Sequence, residues 1–150
     1  MDTVSYPNKN VTEFIKDSVI PLRVRYDTQP IATDFSIKWT PTLVILDTDG
    51  KEHHRTVGFL SPEELIPLLL LGIAKVHFDL NAFKDALSRL EKILSDFPKS
   101  GSAPEAIYLK GVCLYKDTKN PKGLKEAYKQ LQAEYPESEW TKRAYPYRLL

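Results

Sequence analysis

Thr40-Pro41-Thr42 runs straight into Leu43-Val44-Ile45-Leu46-Asp47, and this short stretch constrains the fold more than any other part of the chain. A proline at a strand's first residue keeps its missing N–H out of the ladder, so residues 42–47 read as an apolar strand opened by Pro41. Asp47-Thr48-Asp49-Gly50 is the strongest hairpin signal in the sequence and leads into a second strand over residues 52–59. Ser61-Pro62-Glu63-Glu64 then places Ser at the N-cap, Pro at the first helical position and Glu in the first turn, each where it favours a helix start. The helix so opened carries Leu65, Ile66, Leu68, Leu69, Leu70, Leu71, Ile73, Ala74, Val76 and Phe78. A helix apolar nearly all round is buried on several sides.

Upstream, Asn10-Val11-Thr12-Glu13 reads as a capping box with Asn10 at the N-cap, predicting a short helix to about Asp17. Residues 19–26 set Val19, Pro21, Leu22, Val24 and Tyr26 beside Arg23 and Arg25, which predicts a strand with one wetter face and Pro21 at an edge. Residues 30–35 predict a short helix with Ile31 and Phe35 on one face. The order is helix, strand, helix, strand, strand, helix.

The second half repeats itself. Phe83, Ala86, Leu87, Leu90, Ile93, Leu94 and Phe97 fall at helical spacing and end at Phe97-Pro98-Lys99-Ser100. Leu124, Ala127, Tyr128, Leu131 and Tyr135 do the same and end at Tyr135-Pro136-Glu137-Ser138. The two prolines lie 38 residues apart, near the roughly 34-residue period of a paired-helix repeat. Between them Ser102-Ala103-Pro104-Glu105 caps a helix in which Gly111 stands where paired helices approach closely, and Ser138 opens a last short helix.

Composition narrows the function classes. With 150 residues, 42% of them hydrophobic, the chain can bury one sizeable core or two small linked ones. A net charge of +1 favours neither nucleic acid nor an acidic partner. A single cysteine, Cys113, excludes an intramolecular disulfide and points to a reducing compartment. The N-terminal residues have no signal-peptide pattern, and the longest apolar run, residues 66–73 with Pro67 inside, is too short for a membrane span.

Lys38-Trp39-Thr40-Pro41-Thr42, Leu46-Asp47-Thr48-Asp49-Gly50 and Gly58-Phe59-Leu60-Ser61-Pro62-Glu63-Glu64 resemble the back half of a bacterial thioredoxin-like domain. The aromatic-Pro-x-Ser turns and the Gly111 helix resemble tetratricopeptide repeats of the kind found in periplasmic scaffold and outer-membrane assembly proteins. The resemblance implies an α/β thioredoxin-like part over residues 1–71, incomplete because its first central strand is missing. An all-α tetratricopeptide-like region over residues 70–150 follows, and the helix from 62 to about 79 is shared. It also implies that Pro41 is cis and that Trp39, Thr40 and Pro41 form a loop offering backbone groups to a peptide. The family's Cys-x-x-Cys belongs on a helix before all of this, and Met1 looks like the residue that follows the motif. The chain is therefore expected to start just after it, truncated at its N-terminus.

Each candidate site also has a plainer explanation. Cys113 lies in an apolar helical run with no basic neighbour in sequence, so it is expected as a small core residue. His53 and His54 on one strand point to opposite faces and His77 is isolated, so no metal site is expected. Asp47-Thr48-Asp49-Gly50 resembles the start of a calcium loop, but Glu52 and Gly58 occupy the positions where Gly and Glu are required. Asn10-Val11-Thr12 matches a glycosylation sequon and is better explained as a helix cap. Tyr108, Lys110 and Tyr115 are candidates for a repeat surface that faces a partner.

Two functions compete. One is a redox-inactive thioredoxin-like/tetratricopeptide protein in protein–protein interaction or scaffolding, with no cofactor and no catalytic residue. The other is the remainder of a thiol-disulfide oxidoreductase whose Cys-x-x-Cys lies upstream of Met1. The expected partner is a protein or peptide, and a homodimer through the N-terminal half is expected because the missing strand leaves open edges. The location is expected to be cytoplasmic as the chain stands, and periplasmic if a signal peptide and redox motif precede it.

Overall fold

A computed structural model describes residues 1–150, and the chain divides into two units, Met1–Ile66 and Pro67–Leu150. The first unit begins with helix α1, Lys9–Ser18, whose cap is Asn8 and not Asn10. The Asn8 side chain accepts from the Asn10 N–H at 3.0 Å and the Val11 N–H at 3.3 Å. Thr12 Oγ1 donates back to the Tyr6 and Asn8 carbonyls at 2.9 and 3.1 Å. Either asparagine is chemically fit to cap. The start at residue 9 puts Val11 on the inner face, where it is fully buried.

Residues 19–26 do not form the expected strand; 19–25 have no regular structure and Tyr26 lies in a turn. A strand exists only by pairing, and here no neighbouring strand offers a ladder. Helix α2 is a single turn, Ile31–Asp34. Strand β1, Thr42–Leu46, and strand β2, Glu52–Val57, pair antiparallel in a two-stranded sheet, with Thr42 opposite Val57 and a register shift after Ile45. This small sheet flanked by helices is an incomplete thioredoxin-like fold. Near the N-terminus the Ser5 hydroxyl, fully buried, donates to the Leu60 carbonyl.

Helix α3, Pro62–Asp79, crosses the division between the units as one continuous helix and contains Pro67. Ser61 accepts the Glu64 and Leu65 N–H groups at 3.2 and 3.0 Å, as a helix start requires. The second unit continues with α4 (Phe83–Asp96), α5 (Ala103–Thr118), α6 (Lys122–Glu134), α7 (Glu139–Ala144) and a closing 3-10 turn, Tyr145–Leu149. The Ser102 side chain makes no capping bond to α5, contrary to the sequence reading; Pro104 in the first turn marks that start instead.

The two aromatic-proline turns have the same geometry. Phe97 ends α4 at φ −133°, ψ 48°, and Tyr135 ends α6 at φ −137°, ψ 55°. The Ser100 N–H bonds the Phe97 carbonyl at 3.0 Å, and the Ser138 N–H bonds the Tyr135 carbonyl at 3.0 Å. The Tyr135 hydroxyl donates to the Pro98 carbonyl and so ties one turn to the other. Ile107, Ala127, Tyr128, Leu131 and Ala144 form a buried cluster, closed by Leu94, Tyr108, Tyr135, Trp140 and Tyr147. Helices α5 and α6 meet through glycine: a Cβ on Gly111 would lie 2.6 Å from Ala127 Cβ and 2.9 Å from the Gly123 carbonyl oxygen.

Candidate functional site

The loop before β1 is built from local hydrogen bonds. Ser36 takes a left-handed conformation at φ 50°, and the Ile37 N–H returns to the Ala32 carbonyl at 2.9 Å, which stops α2 and turns the chain. The Thr40–Pro41 peptide is cis, as is Gln29–Pro30. Thr42 Oγ1 donates to the Trp39 carbonyl at 2.6 Å, and the Gly58 N–H donates to the Pro41 carbonyl at 2.9 Å. Pro41's carbonyl is therefore already used within the fold. Trp39 is 70% exposed and, with Tyr26, Ile37, Lys38 and Thr40, lines an open cleft of about 280 Å³. Two aromatics and one ammonium group around a shallow cleft can receive an apolar side chain and a nearby acceptor.

Past β1, Asp47 holds the hairpin. Its Oδ1 accepts from the Asp49 N–H at 3.0 Å and the Lys51 N–H at 2.9 Å, while Oδ2 lies 2.8 Å from His53 Nε2. Both side chains are covered, His53 fully and Asp47 with 8% exposed. The His53 hydrogen bond, followed by the Lys51 N–H, lowers the Asp47 carboxyl below its ordinary 3.8. A carboxylate lowered in the fold stabilises it above the unfolded value and stops doing so as pH falls through the folded value. The wild-type hairpin is therefore expected to lose stability as pH drops below about 3.8. Asp47→Asn is expected to lower the melting temperature at neutral pH and to converge with wild type in strong acid. Melting curves by circular dichroism across that range test this; a gap that persists undiminished at the acid end would exclude Asp47 titration as its cause.

His53 thus answers to a carboxylate across the turn, and no group of three His, Cys, Asp or Glu side chains is arranged to hold a metal ion. Cys113, the one cysteine, is fully buried in α5, and burial pushes its thiol up to about 12. At that value the nucleophilic thiolate is scarce at neutral pH.

Tyr108, Lys110 and Tyr115 all stand on α5 but do not form one surface. Tyr108 packs against Trp140 and Tyr147 with ring centroids 5.2 and 5.8 Å away, and its hydroxyl lies 2.9 Å from that of Tyr147. Burial, then the Tyr108 hydrogen bond, pushes the Tyr147 phenol up to about 12. Lys110 lies on the opposite side of the helix, two residues being about 200° of turn. It pairs with Glu91 at 3.3 Å and borders a cleft of about 110 Å³ with Gly111, Leu114, Gly123, Glu126 and Gln130. Tyr115 is 38% exposed near the end of α5. Sequence reasoning missed Tyr26, Ile37 and Lys38 beside Trp39, and it missed the Asp47–His53 bond. An aspartate opening a two-strand turn with a histidine six residues on was the available signal for the latter.

No helix is long and apolar enough to cross a membrane. Residues 3–72 match the family model of a thioredoxin-like domain, and residues 69–100 and 105–138 match that of the tetratricopeptide repeat. No curated protein and no solved structure matches the chain. On these boundaries the first repeat takes in most of α3 with α4, and the second takes in α5 with α6. The chain is thus a thioredoxin-like domain followed by tetratricopeptide repeats.

Proposed function

We propose that this chain is a protein-interaction module that carries out no thiol-disulfide chemistry of its own. The observation that carries this is the state of its only cysteine: Cys113 is fully buried with its thiol pushed up to about 12, so it is neither accessible nor ionised. One cysteine also cannot cycle between a dithiol and an intramolecular disulfide. The tetratricopeptide repeats supply the interaction role, since stacked helix pairs present extended surfaces to peptides and proteins. The Trp39-Thr40-Pro41 loop supplies a second contact for a peptide, through the exposed indole and the cleft beside it. We further infer that the chain associates with a second copy through its N-terminal half, because that half leaves large apolar side chains in solvent.

Dithiothreitol-driven insulin reduction tests the absence of redox chemistry. The purified chain is expected to match the uncatalysed rate, and Cys113→Ser is expected to change nothing. Catalysis that disappears in Cys113→Ser would overturn the reading.

A further inference from the structure

Strand β1 has the composition of a covered strand and the exposure of an edge. Leu43, Val44 and Ile45 form an unbroken apolar run, which suits a strand shielded on both faces. All three are only half-buried, and β1 pairs with β2 alone. A two-stranded ribbon is marginal by itself and gains stability from a further strand or from packing against a helix. The far edge of β1 is a row of backbone groups without a strand partner, a template for one more strand.

The same unit holds a segment with the complementary need. Residues 20–24 neither donate nor accept a backbone hydrogen bond. Ile20 is 98% exposed, Leu22 81% and Tyr26 69%, with Val24 between them at 37%. In a strand, alternate residues share one face. Ile20, Leu22, Val24 and Tyr26 would then lie together, with Arg23 and Arg25 on the other face. Backbone groups alternate between the two edges as well, so Pro21's missing N–H falls on the edge opposite that of residues 20, 22 and 24. One edge of the segment can therefore carry a full ladder. These four residues expose on the order of 600 Å² together, a large share of the roughly 800 Å² per partner that a stable interface buries.

We propose that two copies exchange these segments: residues 20–26 of each copy add as a third strand to the free edge of β1 in the other. The reciprocal exchange uses the same two patches on both copies and closes a two-fold dimer. This rests on the self-association inferred above and names its geometry. Each copy supplies the strand the other lacks, and the side chains now in solvent become the shared apolar face.

Light scattering and hydrogen-deuterium exchange on the full chain, over a concentration series, test the two levels separately. The expected result is a dimer mass, with amide protection rising at residues 20–26 and 42–46 together as concentration increases. Leu22→Asp places a charge on the joined face, and Val24→Pro removes a ladder donor; both sites are exposed enough in the single copy to leave its helical content unchanged. Each variant is expected to weaken dimerisation at least about tenfold, a change of roughly 1.4 kcal/mol. A dimer that both variants leave unaltered would overturn strand exchange and leave self-association standing through another surface. A monomer at every concentration would overturn both, and would assign the open edge to a different chain.

Discussion

Leu131→Ala is expected to cost the repeat unit about 2–5 kcal/mol, because a fully buried leucine leaves a cavity that its neighbours fill only in part. Leu131 stands inside the cluster of Ile107, Ala127, Tyr128 and Ala144, to which α5, α6 and α7 all contribute. Its carbonyl also receives the Tyr135 N–H at 2.8 Å and the Thr141 hydroxyl at 3.3 Å, so a shift of the α6 backbone would disturb the turn and the last helix as well. At about 4–8 °C per kcal/mol for a unit of this size, a fall on the order of 10–40 °C in melting temperature follows. Urea titration followed by helical circular dichroism gives the free energy directly. A loss below about 1 kcal/mol would mean that the three helices do not converge on Leu131.

Gly111→Ala is the second large effect, and two opposing contributions decide its sign. Alanine favours a helix interior over glycine by about 1 kcal/mol. Against this, the new Cβ would lie 2.6 Å from Ala127 Cβ and 2.9 Å from the Gly123 carbonyl oxygen, which forces the helices apart. Overpacking of this kind costs about 1–3 kcal/mol, and here one contact is backbone and cannot rotate away. With a rigid backbone contact involved the clash wins, and a net loss of up to about 2 kcal/mol is expected. Adding Ala127→Gly removes the nearer contact and is expected to restore part of the loss, measured as a coupling in a double-mutant cycle. A stabilised Gly111→Ala variant would show that α5 and α6 do not touch at this point.

Both effects arise in the part of the chain that was most legible in the sequence. Helices α4 and α6 are written as apolar residues at helical spacing, and their ends as an aromatic residue followed by proline. The β1–β2 hairpin and the start of α3 were legible for the same reason: Asp49-Gly50 and Ser61-Pro62-Glu63-Glu64 act on the backbone within a few residues of themselves. Gly111 as a point of close approach was readable too, although its partners Gly123 and Ala127 were not.

What tertiary structure alone decided is where the consequences lie far apart in sequence. Residues 19–26 have the alternation of a strand, yet a strand is defined by a neighbour, and alternation cannot supply one. Tyr108 read as a surface aromatic and is instead packed with Trp140 and Tyr147, more than thirty residues away, because the last helix and closing turn fold back over α5. The sequence by itself determined the local signals: the hairpin, the helix starts, the repeated turns and the single cysteine. Pairing, burial and the side-chain contacts that set the Cys113 and Tyr147 acidities came only with the fold, since each depends on groups that the chain brings together in space.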